Sequence, residues 1–225
     1  MGSMRHAGSS KNVFMIEDHL IFREAVAGII NQDRRLTVCG GSGDGRDALE
    51  RIRHLSPDVI LLDIALPGIG GIELTRQIRA RHPRVRILML SMYKASLSAE
   101  RALRAGANGY VMKREDGRTL LAAIHAVLEG KTVIGREGLE RVRQAAVQST
   151  DGTSASLECL SDREMEVYQR VGQGLPTREI ASLMQISVKT VESHKGRIRS
   201  KLDLGTNGEL FQQAIHWVHS EGAPD

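Results

Sequence analysis

Val59-Ile60-Leu61-Leu62-Asp63 decides the fold: four consecutive apolar residues, two of them β-branched, run straight into a carboxylate. A short run that is apolar at every position fits a strand covered on both faces, because a half-exposed strand would alternate. Outward from it, further apolar runs occur at Val13 to Ile16, Leu36 to Cys39, Val85 to Leu90 and Gly109 to Met112. Between them lie stretches with helical spacing, such as Leu120, Leu121, Ile124, Val127 and Leu128. Regular strand-helix alternation predicts one α/β doubly wound domain over residues 11–130, a parallel sheet of five strands wrapped by helices.

The chain has 225 residues, 41% hydrophobic and 26% charged, enough for one large domain or two small ones and unlike a disordered chain. No apolar run approaches the roughly 18 residues of a membrane helix. The start, MGSMRHAGSS, lacks the apolar stretch of a signal peptide. A cytoplasmic protein without a membrane partner is expected. Residues 1–10, small and polar with a second Met at position 4, resemble an expression remnant and are set aside. Cys39 and Cys159 are too few and too far apart for a disulfide framework or a thiolate metal site, and read as small buried hydrophobes.

After Gly130 the pattern changes. A polar stretch with helical character, Glu137 to Gln148, runs into Ser149-Thr-Asp-Gly-Thr-Ser-Ala-Ser156, so residues 131–157 read as a linker, partly helical and then flexible. Residues 158–225 show only helical signals and predict an all-α domain of four helices. Ser161-x-x-Glu164 is a capping box, Thr177, Ser187 and Thr206 stand where three further N-caps would fall, and Thr206-x-x-Glu209 repeats the box spacing.

In a doubly wound sheet, ligands bind beyond the carboxyl ends of the strands. The first run ends in Glu17-Asp18, the third in Asp63, the fourth in Ser91, and the fifth, after Tyr110, in Lys113. Three carboxylates converging on one edge repel one another unless a cation neutralises them, and a hard divalent ion, Mg²⁺ or Mn²⁺, suits oxygen ligands while leaving positions open for phosphate oxygens. A carboxylate held there is a nucleophile toward phosphorus. Lys113 would pair with one phosphoryl oxygen and Ser91 would donate to another. Rival readings fail: a dinucleotide fold needs a Gly-rich first turn where this chain has Glu17-Asp18-His19, and a haloacid-dehalogenase-type phosphatase needs an acid where Ala65 stands. His19 reads as a solvated residue.

Taken in order, Val13-Phe-Met-Ile-Glu-Asp-His19, Ile60-Leu-Leu-Asp63-Ile-Ala-Leu-Pro67-Gly, Leu88-Met-Leu-Ser91 and Gly106-Ala-Asn-Gly-Tyr-Val-Met-Lys113 resemble the receiver domain of bacterial two-component response regulators. The resemblance implies a flavodoxin-like strand order 2-1-3-4-5, Asp63 as phosphoacceptor, Glu17, Asp18 and Asp63 as metal ligands, Lys113 as the phosphate-pairing lysine, Ser91 as the switch hydroxyl and Tyr110 as the switch aromatic. Glu17 stands where Asp is common, and Gly70 where Asp or Asn often follows the turn.

Pro176 to Leu202 reads as helix, turn, helix. Ile180, Ala181 and Met184 face inward, Gln185-Ile186 makes the turn, Ser187 caps the second helix, and Val188, Val191, Ile198 and Leu202 form one narrow stripe expected to be buried, with His194 at its edge. The chain carries 31 Lys and Arg against 27 Asp and Glu, but residues 158–225 hold 8 basic and 10 acidic side chains. Residues 187–201 nevertheless hold five basic side chains and one acid, and this local concentration points to DNA.

Leu160-Ser-Asp-Arg-Glu164, Val171-Gly-Gln-Gly-Leu175, Glu179-Ile-Ala181 and Ser187-Val-Lys-Thr-Val-Glu-Ser-His-Lys195 resemble the LuxR-type domain of the NarL/FixJ-like regulators. The resemblance places Glu192, Ser193 and Gly196 toward bases and Lys189, Thr190, Lys195 and Arg197 on phosphates, with Arg199 on the helix flank. The last helix, with its Leu210, Ala214 and Val218 stripe, is a dimer contact in that family and could equally be core.

The expected function is transcription regulation, not metabolic catalysis: a sensor histidine kinase or phosphotransfer domain phosphorylates Asp63, and a homodimer reads double-stranded promoter DNA. A signalling adaptor that reads no DNA is the alternative. An autoinducer-sensing LuxR protein is disfavoured because its sensory domain lacks the carboxylate cluster.

Overall fold

The computed structural model describes residues 10–92, 96–134, 157 and 159–222, without the side chains of 96–98 and 220–222. Six parallel strands form one sheet in the order β2-β1-β3-β4-β5-β6: β1 (Lys11–Ile16), β2 (Leu36–Ser42), β3 (Val59–Asp63), β4 (Arg86–Ser91), β5 (Gly109–Met112) and β6 (Val133–Ile134). The first five are those expected, in the expected order. The sixth corrects the five-stranded reading and falls in what reads as linker. Its two residues pair with Gly109 and Tyr110, a length at which no strand pattern exists to be seen.

Helices α1 (Leu20–Asn31), α2 (Gly45–Leu55), α3 (Gly71–Arg81), α4 (Ser96–Arg104) and α5 (Gly117–Leu128) wrap the sheet. Phe14, Ile16, Ile60 and Leu62 pack against α2, α3 and α4, while Val13, Met15, Val59 and Leu61 pack against α1 and α5. Alternate residues of one strand thus enter opposite cores, which is why each run had to be apolar throughout.

The helical part comprises α6 (Asp162–Gly172), α7 (Thr177–Leu183), α8 (Val188–Lys201) and α9 (Asn207–Gly222), matching the four helices expected. Ser161 and Glu164 form the capping box at the start of α6, and Ser187 Oγ accepts from the Thr190 amide at the start of α8. Pro176, not Thr177, occupies the cap position of α7, which leaves the Thr177 hydroxyl for another use. Leu210, Ala214 and Trp217 of α9 are buried against Tyr168 and Val171 of α6, so the apolar stripe of the last helix is core. Val188 is 44% exposed, a correction to the buried stripe: it lies in the first turn of α8, beyond the reach of the core that covers Val191 and Ile198. Residues 135–156, with the helical stretch and the Ser-rich segment of the linker, and residues 1–9 lie outside the described residues. Among the described residues no helix is long and apolar enough to cross a membrane.

Glu164 serves two elements, since its carboxylate accepts from the Ser161 amide (2.7 Å) and pairs with Lys201 of α8 at 2.7 Å. Burial works to raise its pKa, but Lys201 and the Ser161 amide outweigh that and hold it below the usual carboxylate value. Its ionised form therefore contributes stability at neutral pH that is lost as pH falls below the unfolded-state value toward the lowered folded one. Glu164→Gln should cost about 1–2 kcal/mol at pH 7 in a urea melt of the helical part. The difference from wild type should shrink below about pH 4.

Candidate phosphoryl and DNA sites

Four strand ends and their loops build the first site. Lys113, just past β5, puts Nζ 2.9 Å from Asp63 Oδ2 and 2.7 Å from Glu17 Oε2, with all three side chains at most 5% exposed. The Lys113 amide donates to the Ser91 carbonyl (2.7 Å), tying β4 and β5 together at the same edge. Ser91 and Tyr110 are buried, at 1% and 4% exposure. Asp18 is the solvent-facing acid of the cluster.

Burial raises the pKa of Asp63 and the neighbouring Glu17 charge adds to this, against the opposing pull of Lys113. For Lys113, burial works to lower the pKa, and the Asp63 and Glu17 carboxylates reverse it, leaving the ammonium held above its ordinary value. One lysine thus faces two buried carboxylates, with a third acid beside them. Ligand oxygens of Glu17, Asp18 and Asp63 and a His19 nitrogen lie within 4.8 Å of one another, an arrangement whose oxygen-rich donor set fits a hard divalent cation.

Three side chains join this cluster that the strand-end pattern had not marked. His19 Nδ1 lies 3.1 Å from Glu17 and 3.0 Å from Asp18, so His19 is exposed but not merely solvated. The Lys113 ammonium rests 4.9 Å from the centre of the Phe22 ring. Arg23 donates to the Glu17 carbonyl. Phe22 and Arg23 lie on α1, three and four residues after its cap His19, so the first turn of that helix is the signal that could have found them. Behind the site, the Gly71 amide donates to Ile64, and a Cβ on Gly71 would collide with the Asp63 carbonyl.

On α8, Lys189, Thr190, Glu192, Ser193 and Arg197 are exposed, and nothing lies within 4 Å of a Cβ placed on Gly196. This side of α8 is therefore open and small at its centre. Several of the expected DNA residues, among them Glu192, Lys195 and Arg199, are engaged within the domain. Lys195 Nζ donates to Glu192 Oε1 (3.0 Å) and to Thr177 Oγ (3.2 Å), and Thr177 in turn donates to Glu192 (3.0 Å). Arg199 donates to the Gly205 carbonyl at 3.2 Å. Thr177 thus anchors the side chains at the middle of α8 from the first turn of α7, a role that its reading as a cap had hidden. His194 is half-buried, and burial and then Arg197 lower its pKa, which favours the neutral imidazole and fits packing at the stripe's edge.

Residues 13–125 match the family model described as the response regulator receiver domain, and residues 158–214 that of the bacterial regulatory proteins of the luxR family. The chain is 32% identical over 208 residues to the oxygen regulatory protein NreC of Staphylococcus aureus, covering 90% of this chain and 96% of that one. A LuxR-family two-component response regulator from an Aurantimonas species is 34% identical over 62% of this chain and 99% of its own, with a TM-score of 0.60. RcsB of Salmonella enterica serovar Typhimurium, bound to promoter DNA in the presence of the phosphomimetic BeF3−, is 25% identical over 92% of this chain and 100% of its own, with a TM-score of 0.64.

Removing the lysine from this cluster leaves buried like charges uncompensated. Lys113→Met should lower stability by about 3 kcal/mol in metal-free buffer at pH 7. Millimolar Mg²⁺ should recover part of the deficit, because a ligand bound only by the folded state stabilises it. Paired urea melts with and without the ion measure both effects.

Proposed function

This chain belongs to the two-component response regulators that join a receiver to a LuxR-type helix-turn-helix domain, and from that premise we propose that it is a cytoplasmic transcription regulator switched by phosphorylation of Asp63. Its working parts are a receiver over residues 11–130, a linker over 131–157 and a DNA-binding domain over 158–225. The observation that carries the reading is the buried Lys113 ammonium held between Asp63 and Glu17 at the strand edge.

A sensor histidine kinase or phosphotransfer domain is the donor. The Asp63 carboxylate attacks the phosphorus of the phosphohistidine, the P–N bond breaks, and the imidazole leaves with a proton. Glu17, Asp18 and Asp63 are the residues that would hold Mg²⁺ or Mn²⁺, whose charge neutralises phosphoryl oxygens. Lys113 exchanges one carboxylate partner for a phosphoryl oxygen, and Ser91 donates to another. Ser91 thereby vacates space into which Tyr110 turns, which reshapes the face around β4 and β5 and favours a homodimer.

Two observations support DNA as the output and dimerisation as the switch. The groove-facing residues of α8 are exposed while the receiver packs elsewhere, on α6 and the end of α7, so the recognition surface is not covered by the receiver. On that surface, Glu192, Ser193 and Gly196 sit toward bases. Lys189, Thr190, Lys195 and Arg197 reach phosphates, and Arg199 joins them if it leaves Gly205. Glu192 accepts from a cytosine amino group.

Asp63→Asn should abolish labelling by acetyl phosphate with Mg²⁺, because the amide is neither nucleophile nor metal ligand, and Asp18→Ala should stop labelling with the fold intact. Persistent label on the Asp63→Asn protein would move the acceptor elsewhere.

A dimer reads two half-sites about one helical turn apart. Phosphorylation should therefore raise affinity for a paired site about tenfold more than for a single half-site. Equal gains on both, in titrations at fixed salt, would remove dimerisation from the mechanism. Lys189→Ala and Arg197→Ala should each weaken binding on all sequences and reduce the salt slope by about 1.

A further inference from the structure

The Thr177 hydroxyl joins α7 to the middle of α8, and its hydrogen bonds run in one direction. It accepts from Lys195 Nζ (3.2 Å) and donates to Glu192 Oε1 (3.0 Å), while Lys195 Nζ donates to that same carboxylate oxygen (3.0 Å). Three side chains thus close a triangle in which one oxygen of Glu192 takes two donors. The hydroxyl is available for this because Pro176 holds the cap position of α7. Thr177 is β-branched and stiff about χ1, and its helix is fixed on α8 through a core that Ile180 and Ala181 share with Val191. The anchor is therefore rigid.

A lone glutamate is a poor reader of a base edge, because its long side chain must be ordered on binding and DNA phosphates repel its charge. A lysine three residues further along the same helix answers the charge, but an exposed pair of that kind is weakly held. Here the Lys195 side chain is only 14% exposed while that of Glu192 is 48% exposed, so the cation is packed into the domain and the carboxylate projects from it. Lys195 holds the Glu192 pKa below the usual carboxylate value, with burial opposing and the Thr177 hydroxyl assisting. The group stays ionised and can only accept. Among the described residues Glu192 Oε2 takes no hydrogen bond, which leaves it for a donor on a base. The amino group of cytosine fits, since its neighbour on the groove edge is a C–H; adenine sets the N7 acceptor beside its amino group, and guanine and thymine present carbonyl oxygens.

We propose that Thr177 is a specificity-determining positioning residue: acting on Glu192 directly and through Lys195, it holds one carboxylate oxygen toward a cytosine amino group and so sets a base choice from outside the recognition helix. The proposal rests on the reading that Glu192 faces bases. Without the hydroxyl the Lys195–Glu192 pair survives, so the net charge of the surface is unchanged. Lys195 also keeps an N–H for a phosphate, because an ammonium has three and the triangle uses two. What is lost is the third point that stops the carboxylate from swinging. Removal of the hydroxyl therefore costs discrimination between bases and leaves the sequence-independent part of the affinity in place.

The test lets the full chain, treated with acetyl phosphate and Mg²⁺, select from a pool of DNA duplexes of randomised sequence at fixed salt, and the bound duplexes are sequenced. Wild type should enrich a C·G pair at a position that Glu192→Ala leaves unenriched. Thr177→Val, which keeps the shape and removes the hydroxyl, should cut the preference at that position about fivefold while the other positions and the salt slope stay as in wild type. Thr177→Ser, which keeps the hydroxyl, should retain most of the preference. A Thr177→Val protein with full preference at the Glu192 position, or with equal loss at every position, overturns the proposal, and so does a Thr177→Ser protein no better than Thr177→Val. A Glu192→Ala protein with an unaltered profile overturns the base contact of Glu192 and the proposal with it. A wild-type chain that enriches no sequence overturns the DNA reading itself, which separates that failure from the others.

Discussion

One buried ammonium between two buried carboxylates constrains the rest of the receiver. Lys113, Glu17 and Asp63 come from three strand ends, and their charges are removed from water at a cost that their mutual attraction repays only at close range. Close range requires β1, β3 and β5 to end at one edge of the sheet, which the parallel pairings through β3 and β4 supply. It also requires the chain after Asp63 to turn away tightly. Gly71 permits this because a larger residue would strike the Asp63 carbonyl. The cluster still carries more negative charge than positive, and that imbalance suits it to a hard cation.

The strands were legible because burial on both faces leaves a continuous apolar run, and the sheet order followed once the family resemblance was drawn. Asp63, Lys113, Glu17 and Ser91 were legible for a related reason: a polar residue that ends such a run can face only the strand edge. What escaped has physical causes. Strand β6 has too few residues to carry a pattern. Val188 fits the helical stripe arithmetically, yet the core ends before the first turn of α8. Thr177 has the composition of a cap, but Pro176 holds the cap position, and the hydroxyl serves Lys195 and Glu192 instead.

The contact of Asp162 with Arg76 of α3 and Arg101 of α4, which joins the two domains, was the least legible feature of all. Arg101 and Arg76 each sit on a helix of ordinary amphipathic pattern, and their partner Asp162 is 61 and 86 residues further along the chain. Periodicity speaks only for neighbours on one element, and an acid in the first turn of a helix is already explained by the macrodipole. Nothing local distinguishes Asp162 from any other such residue.

That double duty gives the interface its character. A contact dominated by apolar area would leave a large hydrophobic face exposed on opening and would stay shut. Here the crevice between Ile64 and Met165 is small, about 60 Å³, and the fixed points are hydrogen bonds and ion pairs to Leu157, Leu160, Asp162 and Met184. Each of these groups exchanges its partner for water with modest net change. The docked arrangement therefore rests on polar contacts that water can replace one for one, rather than on a large apolar face.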